Sequence, residues 1–233
     1  MPHEQVNDIA MYYEALGDGE PIVLIPGLGT DITEYKPIIE GLARTNRVIA
    51  VDNRGAGRTD KPRSAYSIEM MADDVAALLQ KIGIQQANIL GISMGGRIAQ
   101  ALALKHPEMV KRLLLVSTSS RLIHRRRIGL FGLARRLPIA RSKHPQPNHA
   151  FKLQRQATAS FDNSKQLHNL HMPTLILHGR KDGITPLRLA EELQQGITGS
   201  KLIVFNGGHL FLFMSEQKSL IAEIESFVNN PKE

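Results

Sequence analysis

The stretch ANILGISMGGRIAQALALKHP, residues 87–107, decides the fold. It opens with the aliphatic residues of a short buried strand, turns through glycine and serine, and continues with apolar residues at helical spacing until Pro107 stops the helix. Ser93 stands between Gly91 and Gly95, with Gly96 behind it, at a strand-to-helix turn that strains its backbone. The glycines remove side chains that would block the turn. The serine hydroxyl is left above the carboxyl edge of a sheet, where it is a nucleophile in need of a base.

On both sides of this turn the chain repeats strand and helix. DIAMYYEAL, PIVLIPG and RVIAVDNRG read as strands, EYKPIIEGLART and SIEMMADDVAALLQKIG as helices, and VKRLLLVSTS as the strand after the serine helix. The alternation stops near Ser119 and resumes at PTLILHGRKD, followed by a helix from about Pro186, the strand SKLIVFNGG and a closing helix over 214–228. This order predicts an α/β fold with a mostly parallel sheet covered by helices on both faces. It divides the chain into a core, 1–119 and 171–233, and an insertion, 120–170, of short helices and loops.

Serine chemistry needs a base and an acid that orients it, expected in the order serine, acid, histidine, each just past a strand. Asp182 in LHGRKDGITP and His209 in VFNGGHLFLF hold those places. His178 is the nearest competitor for the base, but it precedes the acid and reads as structural. A tetrahedral intermediate also needs oxyanion donors. The backbone N–H of Met94 is one, and that of Leu28 in the loop IPGLGTD is the second.

With these residues placed, the chain resembles the α/β-hydrolase fold superfamily along nearly its whole length. It looks most like the small lid-bearing esterases, enol-lactonases and cofactor-free perhydrolases. The resemblance rests on IPGLG, VDNRGAGRTDKP, GISMGG, PTLILHGRKDGITP and NGGHLFLF. It implies Ser93 as nucleophile, Asp182 as orienting acid and His209 as general base and acid. Members that open epoxides or remove halides carry aspartate in place of the serine, so Ser93 argues against those reactions. Two departures stand out. Pro26 occupies a position where many relatives carry histidine, and the 89 residues from Ser93 to Asp182 are fewer than a full helical cap requires. The residues missing from the insertion fall around 138–150, leaving a shortened cap and a more open site.

The implied activity is cleavage of a carboxylic ester, lactone or thioester through an acyl-enzyme. Perhydrolase or acyltransferase chemistry on the same residues, and a non-catalytic ligand sensor, remain as alternatives. No cofactor is expected, and no metal, because no histidine or carboxylate cluster has ligand spacing. NRGAG, residues 53–57, lacks the ending of a phosphate loop and reads as a turn.

Composition bounds the partners. The 233 residues carry a net charge of +7 and no cysteine, which excludes disulfides and suits a cytoplasmic protein. No apolar run reaches the roughly 20 residues of a membrane span, and the first residues have no secretory pattern, so a soluble protein is expected. The charge is concentrated. Residues 109–161 hold twelve bases and no acid, leaving 17 bases against 22 acids elsewhere. Within this interval LIHRRRIGLFGLARRL, residues 122–137, has an apolar helical face and reads as the surviving cap over Ser93. Its arginines read first as a solvated face. An anionic acyl substrate, one held on an acidic carrier, or an anionic membrane surface are the alternatives. Nucleic acid is not expected, since only Phe131 and Phe151 could stack on bases there.

Overall fold

A computed structural model describes residues 3–122, 144–214 and 216–229. Within them eight strands form one sheet: β1 (His3–Val6), β2 (Ile9–Leu16), β3 (Glu20–Ile25), β4 (Asn46–Val51), β5 (Ala87–Ile92), β6 (Val110–Val116), β7 (Thr174–Gly179) and β8 (Lys201–Phe205). Their order is β1-β2-β4-β3-β5-β6-β7-β8. Strands β3 to β8 run parallel, while β2 is antiparallel to β4 and β1 to β2. The mostly parallel α/β architecture read from the sequence is the one observed. β1 is an addition to that reading. Of its four residues only Val6 is buried, so HEQV carries no alternation to identify it.

Helices α1 (Lys36–Leu42), α2 (Ile68–Lys81), α3 (Met94–Lys105), α4 (Asn148–Ser160), α5 (Leu187–Gly196) and α6 (Gln217–Asn229) connect or follow the strands. The helix expected over 34–45 is divided. Asp31 caps a 3-10 turn, Ile32–Tyr35, by accepting from the Thr33 N–H, and α1 follows with Pro37 in its first turn, where a missing N–H costs nothing. α2 is capped by Ser67, whose hydroxyl accepts from the Met70 N–H.

Both faces of the inner parallel strands are buried, which is why these strands read as aliphatic runs, while the edge strand β8 is half-exposed. Val23, Ile25, Ile89, Leu113 and Ile176 point to the layer holding α2, α3 and α5. Their neighbours Ile22, Leu24, Leu90, Leu114 and Leu175 point to the layer holding α1 and α6. The outcome is a rigid sheet whose carboxyl edge carries the turns after β3, β5, β7 and β8.

In the interval 120–170 the described residues form an isolated bridge between Arg121 and Asp162, helix α4 and a 3-10 turn, Ser164–Asn169. Apart from Leu122, the stretch LIHRRRIGLFGLARRL lies outside the described residues. Among the described residues no helix is long and apolar enough to cross a membrane.

Candidate active site

Ser93 links β5 to α3 with φ 56° and ψ −113°, a left-handed backbone that serine adopts only under constraint. The constraint is the close approach of α3 to the sheet. A Cβ on Gly95 would stand 2.0 Å from the Ile25 carbonyl oxygen, and one on Gly91 would stand 2.4 Å from the Gly95 oxygen. Any side chain at either position would push the helix off the strand. The Ser93 N–H donates to the Val116 carbonyl at 2.8 Å, and its carbonyl accepts from the Thr118 hydroxyl at 2.6 Å.

The strand ends place Asp182 and His209 on the same edge. Asp182 Oδ1 accepts the N–H groups of Ile184 and Thr185, each at 2.8 Å, and this turn aims Oδ2 at His209 Nδ1, 2.7 Å away. His209 Nε2 lies 3.0 Å from Ser93 Oγ. Since a carboxylate oxygen only accepts, Nδ1 carries the ring proton and Nε2 presents a lone pair to the serine hydroxyl. The Asp182 side chain is fully buried and that of His209 nearly so. The three residues predicted from separate motifs therefore form one continuous hydrogen-bonded chain.

His178, expected to be structural, touches this chain. Its Nε2 lies 2.8 Å from the Thr185 carbonyl and 3.4 Å from Asp182 Oδ2. A carbonyl cannot donate, so Nε2 is the protonated nitrogen, and burial pushes the ring below the usual histidine range. His178 thus approaches the same Asp182 oxygen that His209 bonds.

The N–H of Met94 opens α3 next to Ser93. The N–H of Leu28 belongs to the loop after β3, whose bracing answers the Pro26 departure. Gly27 N–H donates to the Tyr35 hydroxyl at 3.1 Å, Asn53 Nδ2 donates to the Pro26 carbonyl at 3.0 Å, and Gly29 N–H donates to Gln154 Oε1 at 3.2 Å. The Thr30 hydroxyl spends its proton on the Gly27 carbonyl, so the Tyr35 hydroxyl donates to Thr30 Oγ1. Tyr35 must stay protonated to do this, and burial pushes it up to about 12. Sequence reasoning missed Tyr35, Asn53 and Gln154, whose spacing from the loop follows no motif.

A cavity enclosing roughly 700 Å³, its open mouth included, lies over Ser93 and His209. Leu28, Tyr35, Leu122, Leu210, Leu212 and Phe213 make it largely apolar, and Arg97 and Thr158 add polar groups. Among the described residues no group of three His, Cys, Asp or Glu side chains could hold a metal ion.

The alpha/beta hydrolase fold family model matches residues 20–170, more than half of the chain. The chain belongs to the α/β-hydrolase fold family. A model described as TAP-like protein matches residues 149–233 of the same hydrolase fold. The chain is 31% identical to an AB hydrolase superfamily protein of Bacillus subtilis, over 94% of this chain and 96% of that protein. It is 29% identical to a putative carbamate hydrolase of Azorhizobium caulinodans, with 91% and 92% covered. Among solved structures, an esterase from Exiguobacterium antarcticum superposes with a TM-score of 0.86 at 26% identity, covering 98% of this chain and 99% of that one. The alignment with the Bacillus protein runs over 258 residues, more than the 233 of this hydrolase-fold chain, so that relative carries residues this chain lacks.

Proposed function

We infer that the protein is a serine hydrolase that cleaves a carboxylic ester, lactone or thioester through an acyl-enzyme. The observation that carries the reading is the chain Asp182–His209–Ser93, with links of 2.7 and 3.0 Å, whose Ser93 and His209 line a largely apolar cavity. Ser93 Oγ attacks the carbonyl carbon as His209 Nε2 takes its proton, and Asp182 holds the ring and stabilises the charge it acquires. The carbonyl oxygen becomes an oxyanion held by the N–H groups of Leu28 and Met94, each such donor contributing about 2.7–4 kcal/mol to the transition state. His209 then protonates the leaving group. A water molecule, deprotonated by His209, attacks the acyl-enzyme, and collapse of the second intermediate returns the proton to Ser93 and frees the acid.

The likeness to a solved esterase supports an ester as substrate. In this reading residues 120–170 are a shortened cap. Its support is that Leu122 and Thr158 line the cavity and that Gln154 of α4 bonds the Leu28 loop. The small-molecule acyl substrate enters beneath it.

A fluorophosphonate probe is expected to label Ser93 in the folded protein, and Ser93→Ala is expected to lower turnover of a p-nitrophenyl ester by about 10⁴-fold or more. Full activity in that variant would sink the assignment.

A further inference from the structure

Arg97 lies one turn into α3 from Ser93 and is 4% exposed. Among the described residues its guanidinium bonds only neutral acceptors: Nε to the Ser119 carbonyl at 3.3 Å, Nη1 to the Thr158 carbonyl at 3.0 Å, and Nη2 to the Ser119 hydroxyl at 2.8 Å and the Arg121 carbonyl at 3.3 Å. No described carboxylate pairs with it, and the sequence interval 109–161, which supplies its hydrogen-bonding residues Ser119, Arg121 and Thr158, contains no acid. Burial pushes its guanidinium pKa down to about 10. A buried cation without a counter-anion is costly, by several kcal/mol in general. Four of the five guanidinium N–H groups are engaged, which leaves one on Nη1.

Thr158 supplies an independent observation. It is 4% exposed, it lines the same cavity, and its Oγ1 is buried with no hydrogen-bond partner among the described residues. Its own carbonyl accepts from Arg97 Nη1 at 3.0 Å, so the residue with the unpaired hydroxyl stands beside the guanidinium. A purely structural role for Arg97, tying α4 and the segment after β6 to α3, accounts for the four bonds. It leaves both the uncompensated charge and the orphaned hydroxyl without a cause.

Resting on the hydrolase reading above, we propose that Arg97 and Thr158 form an anion subsite in the Ser93 cavity that takes a carboxylate carried on the substrate's acyl part. Two donors, one charged and one neutral, match the two oxygens of a monoanionic carboxylate and are too few for a phosphate dianion. Ser93 and Arg97 line one cavity, together with Thr158. A carboxylate held there and a carbonyl at Ser93 then belong to one small acyl group, as in the half-ester of a short dicarboxylic acid.

The test compares mono-p-nitrophenyl glutarate with p-nitrophenyl butyrate at constant ionic strength, and follows the melting temperature with glutarate or glutaramide added. The wild-type protein is expected to favour the charged ester about tenfold in kcat/KM, and to be stabilised by glutarate but not by glutaramide. Arg97→Met lowers the charged-to-neutral ratio tenfold or more. Because that change can unfold the chain, Thr158→Val is the cleaner variant: it replaces a hydroxyl with no bonds by a methyl, and lowers the ratio about threefold to tenfold. A merely structural role leaves the ratio unmoved. Hydrolysis of the neutral ester with no preference for the charged one and no glutarate stabilisation overturns the subsite and leaves the esterase reading standing. Stabilisation by glutarate with neither ester cleaved supports the subsite and overturns the esterase reading.

Discussion

His178 shows how one buried side chain writes a pH dependence into the native state. Burial holds its ring neutral, with the Thr185 carbonyl and Asp182 opposing the shift and His209 adding to it. An unfolded chain binds that proton near pH 6.5. Between the depressed native value and about pH 6.5 the unfolded state therefore holds more protons than the native one, and stability rises with pH across that window. The contribution is complete above about pH 6.5 and is lost as the pH falls below it. Substituting His178→Leu removes this titration, so the fall in urea-unfolding free energy from about pH 6.5 to 5 should be shallower than in the wild type. An equal or steeper fall would contradict a neutral His178. Its position at a strand end was legible in the sequence, but its contact with Asp182 was not. That contact depends on how the turn through Ile184 and Thr185 folds back.

At the scale of elements, the loop after β3 is held by parts of three others. Tyr35 comes from the turn before α1, Asn53 from the loop after β4 and Gln154 from α4. Gln154 also donates to the Arg54 carbonyl at 2.8 Å and accepts from Gln146 at 2.8 Å. Substituting Tyr35→Phe keeps the packing and leaves the Gly27 N–H buried without its acceptor, which costs about 1–3 kcal/mol. The expected result is a melting temperature lower by several degrees and kcat reduced about tenfold, with KM changed less, because the displaced Leu28 N–H acts mainly on the transition state. An unchanged kcat would mean that the loop keeps its shape without Tyr35. The sequence identified IPGLG as the donor loop because glycine spacing is local. The partners that replace the absent histidine stand 8 to 125 residues away, beyond the reach of any local pattern.

For the molecule as a whole, Arg54 fastens the antiparallel end of the sheet to the helical layer. It is 1% exposed, and its Nε lies 2.7 Å from Asp74 Oδ2 of α2, while Nη2 and Nη1 reach Asp8 at the turn between β1 and β2. Removing one partner strands the buried Asp74, so Arg54→Met is expected to cost about 3–5 kcal/mol in chemical unfolding. The double variant Arg54→Met with Asp74→Leu should recover much of that loss, whereas additive losses would deny the coupling. This anchor explains how β1, with little apolar character of its own, holds its place.

The sequence by itself determined the alternation of strands and helices and the order of Ser93, Asp182 and His209 at strand ends. The first is written in short aliphatic runs alternating with segments of 3.6-residue period, the second in the glycines of one turn and in the positions of Asp182 and His209 after strands. The tertiary structure alone decided which side chains brace the donor loop, that His178 leans on Asp182, and that Arg97 and Thr158 share a cavity with Ser93. Those relations join residues brought together by packing across layers, and packing follows shape and hydrogen-bond geometry, which no one-dimensional spacing records.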